Sequence, residues 1–544
     1  MKTALPDALN NSDLIKEVMP FWYTLKIDTA TKMSTVTDLY TPANPSVPIS
    51  EPLAALRNVG YQIIPTITDG TAKGVLAGLL KNPTTRTQVV NAIMKTVRSN
   101  NYDGIDLDFE GFAFVDENTT WTATAPLWTA LVKELSIALH AENKLLSVST
   151  PYVLNPADKQ KGYYVYAWSA IASSIDKLRI MTYDYSVAKA GPLGPITWAE
   201  RTIQYAISIM PASKVYVGVP GYGRDWVTSV VGVCPANVVN TVKAGAKAAT
   251  FVMRDAATLA ATYGATPTYN QEYGEVTFSY QKVYNGITAG GLSTTCTASR
   301  TAWYQDAKSW ALRAALVTKY RIAGITAWTF GMEEPLAMES IRQVAKEIAP
   351  DQVNITASID KNAIDYGNPI VIAADFKIKD NSPLANLPVR IEGKSPGETS
   401  WRTLSNVVTN AEGKIEKVLI VGKTTSIRLH SDSTWERGEG ISSEFPITVQ
   451  RLLVLNAPGN AKAGSTIQVT GNVRPRVPGV VINLEKLVGK EWQAVDAIAT
   501  TDEQGNFAMS VPAQSRGVIT LRATIAQDAN WTALASPTFN IIIR

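Results

Sequence analysis

Residues 101–112 read NYDGIDLDFEGF, an apolar run that carries Asp103, Asp106, Asp108 and Glu110. In a β-strand successive side chains point to opposite faces, so Ile105, Leu107 and Phe109 share one face while Asp106, Asp108 and Glu110 share the other. Charged groups are seldom buried without partners, and neighbouring like charges raise each other's proton affinity. Such a stack would cost stability unless the chain uses it. Asp106 is expected to lie deepest, Asp108 in the middle and Glu110 at the mouth. Close carboxylates cannot all ionise cheaply, so a proton is shared among them, and Glu110 can stay protonated near neutral pH as a general acid must.

Outward from this stretch, the chain up to residue 348 alternates short apolar runs with helix-like segments, the βα rhythm of a parallel sheet. Eight runs fit an eight-stranded (β/α)8 barrel: EVMPFWYTL, MSTVTDLYT, YQIIPTIT, YDGIDLDFEGF, KLLSVSTPY, KLRIMTYDYS, VYVGVPGYG and GITAWTFGM. Sites in such barrels lie at the C-terminal ends of the strands, where Trp22, Tyr23, Glu110, Tyr152, Asp184, Tyr222 and Trp328 are expected to gather. An insertion is expected at about residues 227–300, between the seventh and eighth runs. It contains both cysteines, Cys234 and Cys296. A bridge between them would contribute about 4 kcal/mol in the chain-entropy model. Two buried free thiols are the alternative.

Beyond residue 350 the pattern changes to short alternating strands with turns and no helix of normal length, as in immunoglobulin-like β-sandwiches. An internal repeat implies two of them, 351–449 and 450–544. It aligns Trp401 with Trp492 and Trp435 with Trp531. The tryptophans could be platforms for sugar rings, but packing on their own sandwiches better explains the repeated placement.

Composition narrows the function classes. The 544 residues are 45% hydrophobic and 18% charged, with a net charge of +4. No concentrated basic stripe is visible, which argues against nucleic acid as the partner. Only His140 and His430 occur, in different expected domains, so a histidine zinc site or Ser-His-Asp triad has little support, and no metal or cofactor is expected. No apolar run is long enough to span a membrane, and no signal peptide is visible at the start.

A protonated Glu110 could protonate a glycosidic oxygen. Asp108 approaches from the same wall and is badly placed as the nucleophile of a conventional retaining glycosidase. A 2-acetamido group on the substrate could attack instead, oriented by Asp108. At this point DGIDLDFE resembles the DxxDxDxE signature of the family 18 glycoside hydrolases, the chitinase-like barrels. MTYDY, VGVPGYGRDW and GITAWTFG support the resemblance in the family's order. It implies a hydrolase of β-linked N-acetylglucosamine polysaccharide with Glu110 as acid/base, Asp108 orienting the acetamido group and Asp106 as its buried proton partner. Tyr183 and Asp184 would contact the acetamido group and the transition-state sugar, and Trp328 would form the floor. Asp103, which would also help to hold the strand end, completes the expected substrate-binding set with Trp22, Tyr152 and Tyr222.

IIPTITDG replaces the Ser-x-Gly-Gly motif of many chitinases, and EGF follows the acid where EYP is common. In both respects the chain is more similar to members associated with bacterial cell-wall and spore peptidoglycan. A monomer acting outside the cell or at the cell wall is expected. The alternative is a chitinase-like lectin that binds sugar without cleaving it, although such proteins usually lose the acid.

Overall fold

A computed structural model describes residues 4–28 and 30–544. The chain forms two compact units, Met1–Ile348 and Ala349–Arg544. The first contains β1 (Phe21–Ile27), β2 (Ser34–Asp38), β3 (Thr66–Asp69), β4 (Gly104–Asp108), β5 (Leu145–Pro151), β6 (Lys177–Met181) and β7 (Val215–Pro220). The inserted strands are β8 (Tyr222–Gly232), β9 (Ala249–Val252), β10 (Thr268–Asn270), β11 (Glu275–Ile287) and β12 (Ser293–Tyr304). After them comes β13 (Gly324–Trp328). The barrel sheet runs in the order β13-β7-β6-β5-β4-β3-β1-β2. This is the TIM-type class, with one strand out of pattern. The run at 33–41, expected as a parallel strand, returns antiparallel against β1. Too few residues separate β1 from β2 for a crossover helix, so only a hairpin can form.

The outward faces of the strands pack on helices. Ile105, Leu107 and Phe109 are fully buried in one core with Val89, Ile93 and Val97 of helix Pro83–Ser99 and with Trp128, Leu131 and Leu135 of helix Trp121–His140. Each such side chain contributes about 1.5–3 kcal/mol relative to exposure. The first helix starts where Asn82 accepts the N–H of Thr84 at 2.8 Å and Pro83 opens the first turn.

The inward faces are polar. Thr66, Asp106 and Ser147 lie side by side in register, and Ser149 pairs with Arg179 one step higher. Beneath them Glu17 accepts from Lys177 at 2.5 Å, Arg179 at 2.5 Å and Tyr216 at 2.8 Å.

The insertion is an antiparallel sheet ordered β9-β8-β12-β11-β10. It begins at Tyr222 rather than near 227 and ends at Tyr304 rather than 300, because the pairing of β8 with β12 runs on to Gly223 and Tyr304, past a bulge between Val227 and Ser229. Cys234 and Cys296 are joined by a disulfide. Glu275 ties the insertion to the barrel. Fully buried, it accepts the N–H groups of Leu193 and Gly194 at 2.7 Å each, the Gln305 amide at 2.9 Å and Arg313 at 3.2 Å. The Leu193 carbonyl in turn accepts the N–H of Tyr185 at 2.7 Å, so the insertion braces the loop that follows Asp184.

The second unit is all β, with two cores, one around Ile370, Phe376, Ile391 and Ile447, the other around Val469, Ile482, Leu484 and Ile541. Each combines a three-stranded sheet with a larger six-stranded one in the same strand order, which is the structural form of the sequence repeat. Three of the four repeated tryptophans lie beneath cations: Trp401 under Arg428 at 4.3 Å, Trp492 under Arg522 at 4.2 Å and Trp531 under Arg451 at 4.1 Å. Trp531 also donates its indole N–H to the Gly422 carbonyl at 3.1 Å, linking the second core to the first. Trp435 is 44% exposed.

Candidate active site

At the C-terminal end of the barrel strands lies a cavity of about 390 Å³, lined by Phe21, Asp108, Glu110, Met181, Tyr183, Asp184, Tyr222, Arg224, Thr250, Phe251, Val252, Trp328 and Met332. β4 stops at Asp108. Glu110, expected to continue the strand, has φ −77° and ψ −12° and precedes the short helix Gly111–Phe114. The turn still leaves Asp108 and Glu110 in the same wall.

The acids differ in their partners. Asp106 is 1% exposed and accepts from Ser147 at 2.6 Å, Ser149 at 2.9 Å and Thr66 at 3.1 Å. Asp108 has the opposite environment. Its Oδ1 is buried and meets no hydrogen-bond partner among the described residues. Burial, and then the charges of Glu110 and Asp106, hold its carboxyl well above the usual range. Glu110 is also pushed up, by burial first and by the charge of Asp184 second. These directions favour a site in which Asp108 and Glu110 share a proton at pH values where free carboxyls have lost theirs, so that one of them is an acid and the other an anion.

Asp184 is the clamped charge. Its backbone is left-handed at φ 60°, a conformation aspartate tolerates better than most residues. Arg224 donates to it through Nε at 2.7 Å and Nη2 at 2.6 Å, and the Tyr222 hydroxyl donates at 2.8 Å. Both oxygens are occupied. Tyr183 fits beside it because position 218 is glycine: a Cβ there would lie 3.0 Å from the Tyr183 ring and 2.5 Å from the Ile180 carbonyl oxygen. Burial pushes the Tyr183 hydroxyl well up, so it is neutral and available as a donor.

Trp328, 39% exposed, meets the edge of Phe21 at 4.9 Å between ring centroids. Phe21 was not among the expected site residues, whereas Trp22 was. Their places are exchanged: Trp22 is buried against Tyr40 at 5.1 Å. The register of β1 against β3 shifts between Phe21 and Tyr23, leaving Trp22 at the irregularity, and pairing with Thr66 places Phe21 inward. Two further residues of the expected set do not line the cavity. Asp103 precedes β4 at the opposite end of the barrel and accepts the Ile63 N–H at 2.7 Å, so it secures strand pairing. Tyr152 lies outside the cavity lining, edge-on to Trp198 at 4.8 Å and Tyr163 at 5.3 Å. Arg224 went unnoticed in GYGRDW, where its only signal was a cation beside an aromatic motif.

The two departures from the chitinase pattern touch each other. A Cβ at residue 111 would lie 2.4 Å from Oδ2 of Asp69, the acid of ITDG. A larger residue after Glu110 would require the Asp69 carboxylate to move aside.

Comparison with known proteins identifies the family. The model for glycosyl hydrolases family 18 matches residues 40–333. YdhD of Bacillus subtilis (strain 168), assigned as a sporulation-specific glycosylase, is 28% identical over 269 residues, covering 48% of this chain and 56% of that protein. The cortical fragment-lytic enzyme of the same organism is 24% identical over 262 residues, covering 47% and 53% respectively. The chain thus spans about half the length of these curated relatives. Among solved structures, a chitinase from Chromobacterium violaceum ATCC 12472 superposes with a TM-score of 0.49 at 23% identity, over 62% of this chain and 94% of that one. The matched segment takes in the acid strand, the Tyr183–Asp184 pair and Trp328, and the chain belongs to family 18 of the glycosyl hydrolases.

Proposed function

We propose that this chain hydrolyses β-linked glycans containing N-acetylglucosamine, with Glu110 as the acid/base and the substrate's own acetamido oxygen as the nucleophile. One observation carries the reading. The carboxylates lining the cavity among the described residues are Asp108, Glu110 and Asp184; the first two share a wall and the third is engaged at both oxygens. No carboxylate is left to attack the anomeric carbon from the far side, as a conventional retaining enzyme requires.

In the first step Glu110 gives its proton to the glycosidic oxygen as the bond to the anomeric carbon breaks. The acetamido carbonyl oxygen forms a bond to that carbon from the opposite face, giving a cyclic oxazolinium ion. Asp108 orients the acetamido group and stabilises its positive charge. Glu110, now a carboxylate, takes a proton from water as the water oxygen bonds to the anomeric carbon and the ring oxygen departs. Two inversions leave the product in the β-configuration.

Relatives named for sporulation and for cortical fragments favour peptidoglycan over chitin as the natural polymer, at the cell wall or outside the cell. Mass spectrometry of digests of chitin oligomers and of purified peptidoglycan tests both parts. Fragments ending in N-acetylglucosamine are expected, more abundant from peptidoglycan. No fragments from either glycan would exclude the reading, and a strong preference for chitin would reverse the choice of polymer.

Trp328→Ala should raise KM and lower kcat together, each by about tenfold, because it removes the apolar surface under the reacting sugar and with it the sugar's alignment. Steady-state kinetics on a soluble chromogenic oligomer read this directly. Unchanged constants would reduce Trp328 to packing against Phe21.

A further inference from the structure

Beside the cavity, the segments that follow β4, β5 and β6 present a continuous run of aromatic rings. Phe114, on the short helix after Glu110, is 55% exposed and meets the edge of Tyr163 at 5.1 Å. Tyr163 meets Tyr152 at 5.3 Å, Tyr152 meets Trp198 at 4.8 Å, and Trp198 meets Tyr185, itself 52% exposed, at 5.2 Å. The Tyr163 hydroxyl is near enough to the acids that the charges of Asp184 and Glu110 add to burial in holding it above its usual range. The run therefore begins next to the acid/base.

One cation stands over it. The ammonium group of Lys161, an exposed residue, is 5.9 Å from the centre of the Tyr163 ring, within range of a cation–π contact. The chain is anchored on both sides of it. The Gln160 carbonyl accepts from the Tyr164 hydroxyl at 2.8 Å and the Gln160 amide oxygen accepts from Arg201, while Gly162 runs so close to Leu154 that a Cβ would lie 3.2 Å from its nitrogen. The acids nearby are engaged elsewhere. Asp158 pairs with Arg201 at 3.7 Å, Asp116 accepts the Gly74 N–H at 2.7 Å, and Glu117 pairs with Lys73 at 2.6 Å. Lys161 makes no ion pair among the described residues, so its charge is uncommitted.

Glu110 protonates the oxygen that departs, so the leaving sugar lies on the Glu110 side of the broken bond, toward Phe114 and Tyr163, while the sugar under attack rests on Trp328. In peptidoglycan, N-acetylglucosamine alternates with N-acetylmuramic acid, whose O3 bears a lactyl group that ends in a carboxyl or in a peptide with carboxylates of its own. A product that ends in N-acetylglucosamine makes the muramyl unit the leaving sugar. Its side chain is anionic, whereas the same position in chitin is a hydroxyl.

We propose that Lys161 is a specificity-determining residue: its ammonium, beside the aromatic run on the leaving-group side, pairs with a carboxylate on the O3 side chain of the leaving sugar and so favours peptidoglycan over chitin. Lysine suits the task, because a compact charge on a flexible stem reaches carboxylates at varied distances. This deepens the functional reading given above and rests on it for its kinetic test.

The test compares a peptide-free peptidoglycan tetrasaccharide with its lactyl methyl ester, which lacks the charge. The full chain should cleave the acid with a kcat/KM about fivefold above that of the ester, the upper end for a pair open to solvent, and the ratio should approach one in molar salt. Lys161→Gln should abolish the ratio, Lys161→Arg should keep it and Lys161→Glu should invert it. Lys159→Gln removes an equal charge from the same loop and should keep the wild-type ratio. A third glycan with L-alanine in amide linkage on the lactyl group moves the carboxylate outward. A larger ratio to its own ester there places the recognised charge on the peptide, and a smaller one on the sugar. A Lys161→Gln enzyme that still prefers the acid, or a Lys159→Gln enzyme that loses the preference equally, would overturn the proposal.

If the wild type cleaves neither these glycans nor a chitin oligomer, the functional reading fails, and calorimetric titration with the same acid and ester reads the preference as a ratio of Kd values. A ratio that Lys161→Gln abolishes would uphold the assignment of Lys161. Equal Kd values in the wild type, or no binding, would overturn it.

Discussion

Glu110→Gln should lower turnover by about 10²- to 10⁴-fold while the barrel remains folded, because an amide of the same shape cannot deliver the proton the leaving oxygen needs. A companion effect separates loss of chemistry from loss of structure. The folded state holds the Glu110 carboxyl above its ordinary value. A group raised in this way stabilises the fold below its unfolded pKa of about 4.3, and that contribution is lost as pH rises through the folded value. The amide has no such loss. Glu110→Gln should therefore melt closer to the wild type at pH 4 and above it at pH 8. Scanning calorimetry at the two pH values and single-turnover kinetics on a chromogenic oligomer check the pair. Turnover within threefold of wild type would remove Glu110 from the acid/base role. A variant less stable than wild type at pH 8 would show that its carboxylate is held by partners that the geometry does not contain.

Asp108→Asn is expected to be nearly as severe, with a loss of about 10²- to 10³-fold, the range found when one preorganised stabilising group is removed from a developing charge. An asparagine can still touch the acetamido group but cannot balance the positive charge of the oxazolinium ion. The same mechanism fixes the stereochemistry. The first sugar released from a β-linked N-acetylglucosamine oligomer should be the β-anomer, read by NMR before mutarotation. A thiazoline analogue of the cyclic ion should inhibit the wild type, since a site complementary to the reacting species binds its mimics more tightly than substrate. Release of the α-anomer would mean that water attacks directly. The shared wall of Asp108 and Glu110 would then need a different use.

Much of the site can be traced to short stretches of chain. Asp106 and Asp108 are set two residues apart on a strand whose other face is apolar, and a period of two is a local property. Tyr183 and Asp184 end the strand that MTYD marks, and β6 does run Lys177–Met181 immediately before them. Where the local period breaks, the expectation breaks too. The strand stops at Asp108, and Glu110 reaches the cavity from a turn. Trp22 and Phe21 are adjacent, and composition cannot say which of two neighbouring aromatics faces inward. Pairing of Phe21 with Thr66 on another strand decides it.

The order of residues along the chain was therefore enough to specify the barrel class, the all-β second unit and its repeat, and the acids of β4, because each rests on hydrophobic period, turn residues and spacing within a few tens of residues. Tertiary structure alone decided what those acids experience. The clamp on Asp184 comes from Arg224 of the insertion, 40 residues away. The donors that converge on Asp106 come from β3 and β5, and the cation behind Ser147 from β6. Desolvation and charge act through space with the distances and dielectric of the folded interior, so the proton affinities that distinguish Asp108 and Glu110 from ordinary carboxyls exist only once those strands have closed around them.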